Sequence, residues 1–282
     1  MKKWSRKPAI AVLVMMMAAG LVLSGCGGQD EESQADVTDG QETGAEDVET
    51  EGIGTGDAAK GTAWEQQFPL IAAETAADTV VDIAALQEEN PDIFGWLYIP
   101  GTDIDFPVMQ SEVADDYYES HNKFGMEDDE GALYIELATL DSMCDFNTVI
   151  HGKCNEDMTD GLFADLYLFT DPDFFENNEY AYVYIDGNLL TYEIFAAYER
   201  DDTSLIRTYD FTYISGCQQF LDDLYGTRQM GMNLRDGWDD VTPYHFLITL
   251  TTGRGEHPLR QLVVVAALVG DAAGTIDRVV LE

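Results

Sequence analysis

Basic side chains are scarce in this chain: 14 Lys and Arg stand against 54 Asp and Glu in 282 residues, a formal net charge of −40. A surface so charged repels phosphate backbones and anionic headgroups, which excludes nucleic acid and leaves neutral, cationic or metal-ion ligands except where local charge reverses. Cysteine is nearly as rare, at four. Cys26 closes a leader motif, and Cys144, Cys154 and Cys217 remain as an odd set, which argues against a disulfide framework in an exported protein. Cys144 and Cys154 bracket one expected strand at opposite ends, which disfavours their pairing. The acidic runs EDDEG (127–131) and DGWDD (236–240) lack the alternating ligand spacing of a calcium loop and read as solvated faces, so no metal and no other cofactor is expected. Long apolar runs are also missing, apart from residues 9–23.

That one run explains the N-terminus. Lys2, Lys3, Arg6 and Lys7 precede it, and its length is short for a membrane span but fits a signal peptide. Leu23-Ser24-Gly25-Cys26 then matches a bacterial lipobox, with cleavage before Cys26 and diacylation of its thiol. The expected product is an exported lipoprotein on the extracellular face of the cell membrane, because two acyl chains hold stably at roughly 0.8 kcal/mol per buried methylene. An uncleaved signal anchor is the alternative. Cleavage leaves 54 acidic against 10 basic residues, a net charge near −44. Residues 29–62 hold eleven acidic residues, one Lys and almost no large apolar side chain. Such a segment cannot bury enough surface to fold and would act as a tether spanning roughly 30–35 Å. The domain plan is therefore 1–25 signal peptide, 26–62 lipid-anchored acidic tether, 63–74 linker, 75–270 folded domain and 271–282 C-terminal tail.

The folded part is mainly β. DTVVDIAALQEENP predicts a helix starting near Asp78, with Val81, Ala84 and Ala85 on one face and Pro91 after its end. FGWLYIPG and TDIDFPVMQ predict two strands around a Pro100-Gly101 turn, and GALYIEL, NTVIHGK, AYVYIDG, LLTYEIFAAYE, HFLITLTT and LVVVAALV predict six more. Eight strands with few helices suggest a closed barrel. Leu162, Phe163, Leu166 and Phe169 recur at helical spacing, as do Phe220, Leu221 and Leu224 within residues 215–225.

Several segments carry a resemblance. HFLITLTTGRG (245–255) resembles the sortase strand that ends TLTC or TLSTC at the catalytic Cys, and NTVIHGKCN (147–155) resembles the strand N-T-V-I-Y-G-H-N that supplies the catalytic His. RQLVVVAALV resembles the following strand with its catalytic Arg, matched by Arg260, with Gln261 as one inserted residue and a bulge or shift expected there. NPDIFGWLYIPGTDIDFPVMQ (90–110), DYYESH (116–121) and DGLFADLYLFTD (160–171), with a long helix between the sixth and seventh strands, resemble class B sortases. The resemblance implies a sortase-type eight-stranded closed β-barrel with an N-terminal helix and short helical insertions.

It also implies cysteine transpeptidase chemistry that this chain lacks the residues to perform. Gly253 occupies the nucleophile position and Lys153 the His position; only Arg260 is retained. Glycine has no nucleophilic atom, and an ammonium cannot cycle protons at neutral pH, so a standard acyl-enzyme is excluded. Two displaced arrangements are conceivable: Cys154 with His151, or Thr252 with Lys153, set against a half-buried Cys154 and a Thr252 paired within the sheet. His121, His245 and His257 read as solvent or capping histidines. Lys153, Arg254 and Arg260 are three of the ten basic residues after Cys26, and the resemblance converges them on one groove with Thr252 and His151. Either they form a cationic pocket for a carboxylate or phosphate, or Arg260 is structural while Lys153 and Arg254 face solvent. Three functions follow: an inactive accessory module for sorting-signal peptides, a cell-wall component or another sortase; a transpeptidase or hydrolase with displaced residues; or a stalk or spacer.

Overall fold

The computed structural model describes residues 81–277 except 156, 229–230 and 255–256. The expected signal peptide, Cys26, tether, linker and first residues of the barrel domain lie outside the described residues, as does the end of the expected tail.

All eight expected strands form, and a ninth, two-residue strand is added. In chain order they are β1 (Ile93–Tyr98), β2 (Asp105–Gln110), β3 (Leu133–Ile135), β4 (Asn147–His151), β5 (Tyr180–Ile185), β6 (Asn188–Asp201), β7 (Asn233–Leu234), β8 (Leu247–Arg254) and β9 (His257–Asp271). They hydrogen-bond in the order β5-β1-β2-β3-β4-β8-β9-β6-β7, and β5 also pairs with β6. That last pairing closes eight strands into a barrel and leaves β7 as a short flange on β6. Closure removes the unpaired edges that an open sheet of this size would expose. β2–β3 and β4–β8 are parallel; the other pairs are antiparallel.

The run LVVVAALV has no polar alternation because β9 is buried on both faces. Leu262, Val264 and Ala266 join Ile248 and Leu250 in the barrel interior. Val263, Val265 and Ala267 join Val149 and Leu247 in a second core on the outer wall. The helices are α1 (Ile83–Glu89), α2 (Pro172–Asn177), α3 (Leu205–Thr208) and α4 (Ile214–Gly226). α4 covers the outer core with Cys217, Phe220, Leu221 and Leu224. Each large apolar side chain buried there contributes about 1.5–3 kcal/mol against exposure.

Two helical expectations change in detail. α1 starts at Ile83, where the Asp82 carboxylate caps it by accepting from Ala85 N at 3.0 Å. Its inward residues are Ile83 and, partly, Leu86, whereas Ala84 and Ala85 are exposed. An N-cap outweighs the weak apolar stripe that Val81 and the alanines offered. Residues Ala164–Thr170 form a 3-10 helix rather than an α-helix. Phe163, Leu166 and Phe169 are all fully buried, and their three-residue interval matches a helix with three residues per turn. At the start of the expected tail, Ile276 is buried in the interior core, and Asp271 accepts from Asn188 Nδ2 at 2.7 Å and from Ile276 N at 2.9 Å.

Candidate functional site

The site is built on the ends of three adjacent strands. Tyr134 of β3 pairs with His151 of β4, and His151 pairs with Thr251 of β8. Cross-strand partners share a face, and Thr251 pairs on with Val263, which belongs to the outer core. Tyr134, His151 and Thr251 therefore stand in a row on the outer wall. The Tyr134 ring stacks on the imidazole, with centroids 5.0 Å apart and 22° between planes.

Glu136 follows two residues after Tyr134 and so returns to the same face. It is only 9% exposed. Its Oε1 accepts from Ser204 Oγ at 3.3 Å and lies 3.5 Å from His151 Nε2. The longer contact is electrostatic: His151 Nε2 is buried and has no hydrogen-bond partner of good geometry among the described residues. His151, helped by Ser204 and Arg207, holds the Glu136 carboxyl below its usual range, against the opposing effect of burial. Ser204 is fixed from behind as the N-cap of α3, accepting from Arg207 N at 3.3 Å. A cavity of about 260 Å³ opens here, lined by Asp115, Asp116, Tyr134, Glu136, Ser204 and Arg207. Burial first, then the charges of Glu119, Glu136, Asp116 and Asp115, raise the Tyr134 phenol far above its ordinary value.

Gln261, the inserted residue, ties this wall together. It pairs with Gly253, and the register shift falls beside it: the next residue of β8, Arg254, pairs with His257. Gln261 Oε1 accepts from Thr251 Oγ1 at 2.5 Å. Its Nε2 donates to Asp201 O at 3.2 Å and Thr203 O at 2.9 Å, anchoring the turn that leads to Ser204.

The other expected site residues take the following places. Thr252 pairs with Leu262 and follows Leu250, both interior residues, so it faces the inside of the barrel; its hydroxyl is buried with no partner among the described residues. Thr251, not Thr252, reaches the outer site. β4 ends at His151, so the expected strand through Lys153 is two residues shorter. Gly152 lies so close to the core that a Cβ there would sit 2.5 Å from Phe163 Cδ2 and 2.6 Å from Leu133 Cδ2. Lys153 then turns toward Glu119 Oε1 at 3.9 Å and Asp129 O at 3.4 Å. Arg260 is held elsewhere, by Asp201 Oδ1 at 2.8 Å and Glu199 O at 3.1 Å. Lys153 and Arg260 each form an ion pair, with Glu119 and with Asp201. The Arg254 side chain lies outside the described residues.

His151 is engaged by Glu136 and Tyr134, and Cys154, half-buried in the following loop, is not part of a disulfide. Cys144 and the buried Cys217 are likewise outside any disulfide. His245 is buried and caps a turn, its Nδ1 accepting from Thr242 N at 3.0 Å, whereas His121 stacks on Tyr117 at 3.9 Å. The His257 side chain lies outside the described residues. Glu136, Ser204 and Arg207 escaped sequence reading. The signal for Glu136 was a single acid inside the apolar run LYIEL.

No protein-family model matches the chain. Sortase B of Listeria monocytogenes is 36% identical over 137 residues, which is 47% of this chain and 50% of that protein, so the match spans half of the relative's length. The crystal structure of Clostridium perfringens sortase B superposes with a TM-score of 0.54 at 25% identity, over 67% of this chain and all of that one. This chain is a class B sortase homologue. The Staphylococcus aureus sortase B–substrate complex shares the fold, with a TM-score of 0.55 at 24% identity over 67% of this chain and 84% of that one. In this sortase homologue the closed barrel of eight strands with few helices matches the expected fold class among the described residues. The register sets position 253 of β8 on the face of Thr251, opposite Gln261.

Proposed function

We propose that this sortase homologue is a surface-anchored binding module that engages peptides in a sortase-type groove without cutting them. The observation that carries the reading is Gly253, which follows TLTT in β8 at the position where the resemblance assigns the nucleophile. No atom there can form a thioester. Lys153, at the position assigned to the proton carrier, is held beside Glu119 as an ammonium, which has no lone pair to accept a proton. Arg260 is bound to Asp201 and Glu199, in keeping with a structural role. Sorting-signal peptides are the expected ligand class, since a relative of this fold exists as a substrate complex.

The anchor at Cys26 and the acidic tether belong to the same proposal. They would hold the barrel off the membrane, within reach of wall components or another sortase. Two measurements test it. Calorimetry of the full chain with sorting-signal peptides should give saturable binding, with the peptide recovered uncut; cleavage that depends on Cys154 would favour displaced catalysis, and no binding at all would favour a spacer. Cys26→Ala should move the protein from the detergent phase to the aqueous phase on phase separation.

A further inference from the structure

A larger cavity, of about 680 Å³, opens where β4 begins, between the loop that joins β3 to β4 and the segment after α3. Its size lies within the range of natural ligand sites. Asn147 is part of its wall. Because Asn147 pairs with Leu247 of the outer core, it shares the outer face of β4 with His151, about 13 Å further along at the rise of a strand. Asn147 Oδ1 accepts from Thr249 Oγ1 at 2.8 Å, yet Asn147 Nδ2 is buried with no hydrogen-bond partner among the described residues. A buried amide donor is costly to leave unanswered, and the large majority of buried side-chain polar atoms have a partner. The wall is apolar where it is open: Leu140 is 51% exposed, and Ile206 and Phe211 are half-buried. Phe211 is fixed by stacking on Tyr209, with centroids 5.9 Å apart, and by Phe220 edge-on at 5.6 Å. The charges around the rim are already engaged. Arg207 faces Asp115, Asp145 Oδ2 accepts from Leu140 N at 2.6 Å, and Asp210 Oδ1 accepts from Thr212 N at 3.1 Å.

We infer that this cavity extends the peptide groove and takes one apolar side chain of leucine size, with a neighbouring peptide carbonyl accepting from Asn147 Nδ2. Arg207 lines both this cavity and the smaller one at Glu136 and Ser204, so the two openings meet beside α3. An extended peptide advances about 3.3–3.6 Å per residue, so about four residues separate a side chain seated beside His151 from one seated here. The stacked wall of Phe211 and Tyr209 is set before the peptide arrives, which keeps the ordering cost of binding low. A neutral, apolar segment suits a rim whose charges are engaged, on a chain whose net charge of −40 repels anions. This deepens the proposed peptide binding and rests on it.

The test uses the full chain and acetylated, amidated sorting-signal peptides, lengthened at either end by a glycine spacer of one to four residues and a terminal Leu or Ser. Calorimetry should show the Leu peptide binding about tenfold tighter than its Ser counterpart at one end and one spacer length. Leu140→Ser with Ile206→Ser should erase that gain. Asn147→Asp, which keeps an acceptor for Thr249 and removes the donor, should reduce it, with urea midpoints showing that the variants fold. Cys144 lines this cavity and Cys154 lies beyond the His151 end of β4, so the two cysteines report where the extension sits. A chloroacetamide in place of the terminal Leu should alkylate Cys144, read by peptide mapping. Equal affinity of Leu and Ser peptides throughout, a gain that survives Leu140→Ser with Ile206→Ser, or alkylation of Cys154 in place of Cys144 overturns the inference and leaves uncut peptide binding standing. No binding of any peptide overturns both.

Discussion

Gln261→Leu removes the tie between the two barrel strands and the turn before Ser204, and its cost can be worked from the contacts. The side chain is 6% exposed and makes three hydrogen bonds. Two of the partners keep other donors: Asp201 O still accepts from Thr203 N at 2.8 Å, and Thr203 O from Arg200 Nη1 at 2.9 Å. Their loss costs about 0.5–1 kcal/mol each. Thr251 is the larger loss, since its hydroxyl is 3% exposed and would be left unbonded, at about 1–3 kcal/mol. Leucine returns about 1 kcal/mol by apolar burial. The net is about 2 kcal/mol, near a thirtyfold drop in the folding constant. With a urea slope of roughly 2 kcal/mol per M, the midpoint should fall by about 1 M. The double variant Gln261→Leu with Thr251→Val removes both ends of the strongest contact and should recover at least half of the loss. A single-variant shift under about 0.2 M, or strictly additive losses in the pair, would refute the idea that Gln261 braces the site.

Other outcomes follow from the same structure. His245 is buried neutral, and burial lowers its pKa to about 4 from 6.5. The unfolded chain therefore binds this proton first as pH falls, so stability is undiminished above pH 6.5 and declines by up to about 3 kcal/mol towards pH 4. Urea midpoints at pH 7 and 4.5 should differ less in His245→Asn than in the native chain. Gly152→Ala drives a methyl into Phe163 and Leu133, both fully buried, and should cost about 1–3 kcal/mol by thermal or urea unfolding. Gly253→Cys with Lys153→His should yield a covalent peptide adduct by intact mass, while Gly253→Cys alone should form it about a hundredfold more slowly for want of a base.

The barrel was legible because strand-forming runs, turn residues and alternation agree at nearly every element. The site was less so, for two reasons. A strand's two faces differ by one residue, and HFLITLTT, apolar on both sides, does not reveal whether Thr251 or Thr252 looks outward; the pairing with Val263 and Leu262 decides it. Charge partners come from distant segments: Lys153 finds Glu119, Arg260 finds Asp201, and Arg207 reaches Asp115 across 92 positions in the chain. Arg235 makes the same point. Although it sits beside the acidic run DGWDD, it is buried, donating to Ile194 O at 2.8 Å and Phe175 O at 2.7 Å. Nothing local marks it as part of the core.

The sortase fold without acyl transfer is tested most directly by intact mass spectrometry of the full chain, incubated with sorting-signal peptides and an amine acceptor, beside a variant carrying Cys154→Ala and His151→Ala. Unmodified protein and uncut peptide are expected from both. A transfer product or acyl adduct that persists in the variant would contradict the reading of Gly253 as the loss of the chemistry.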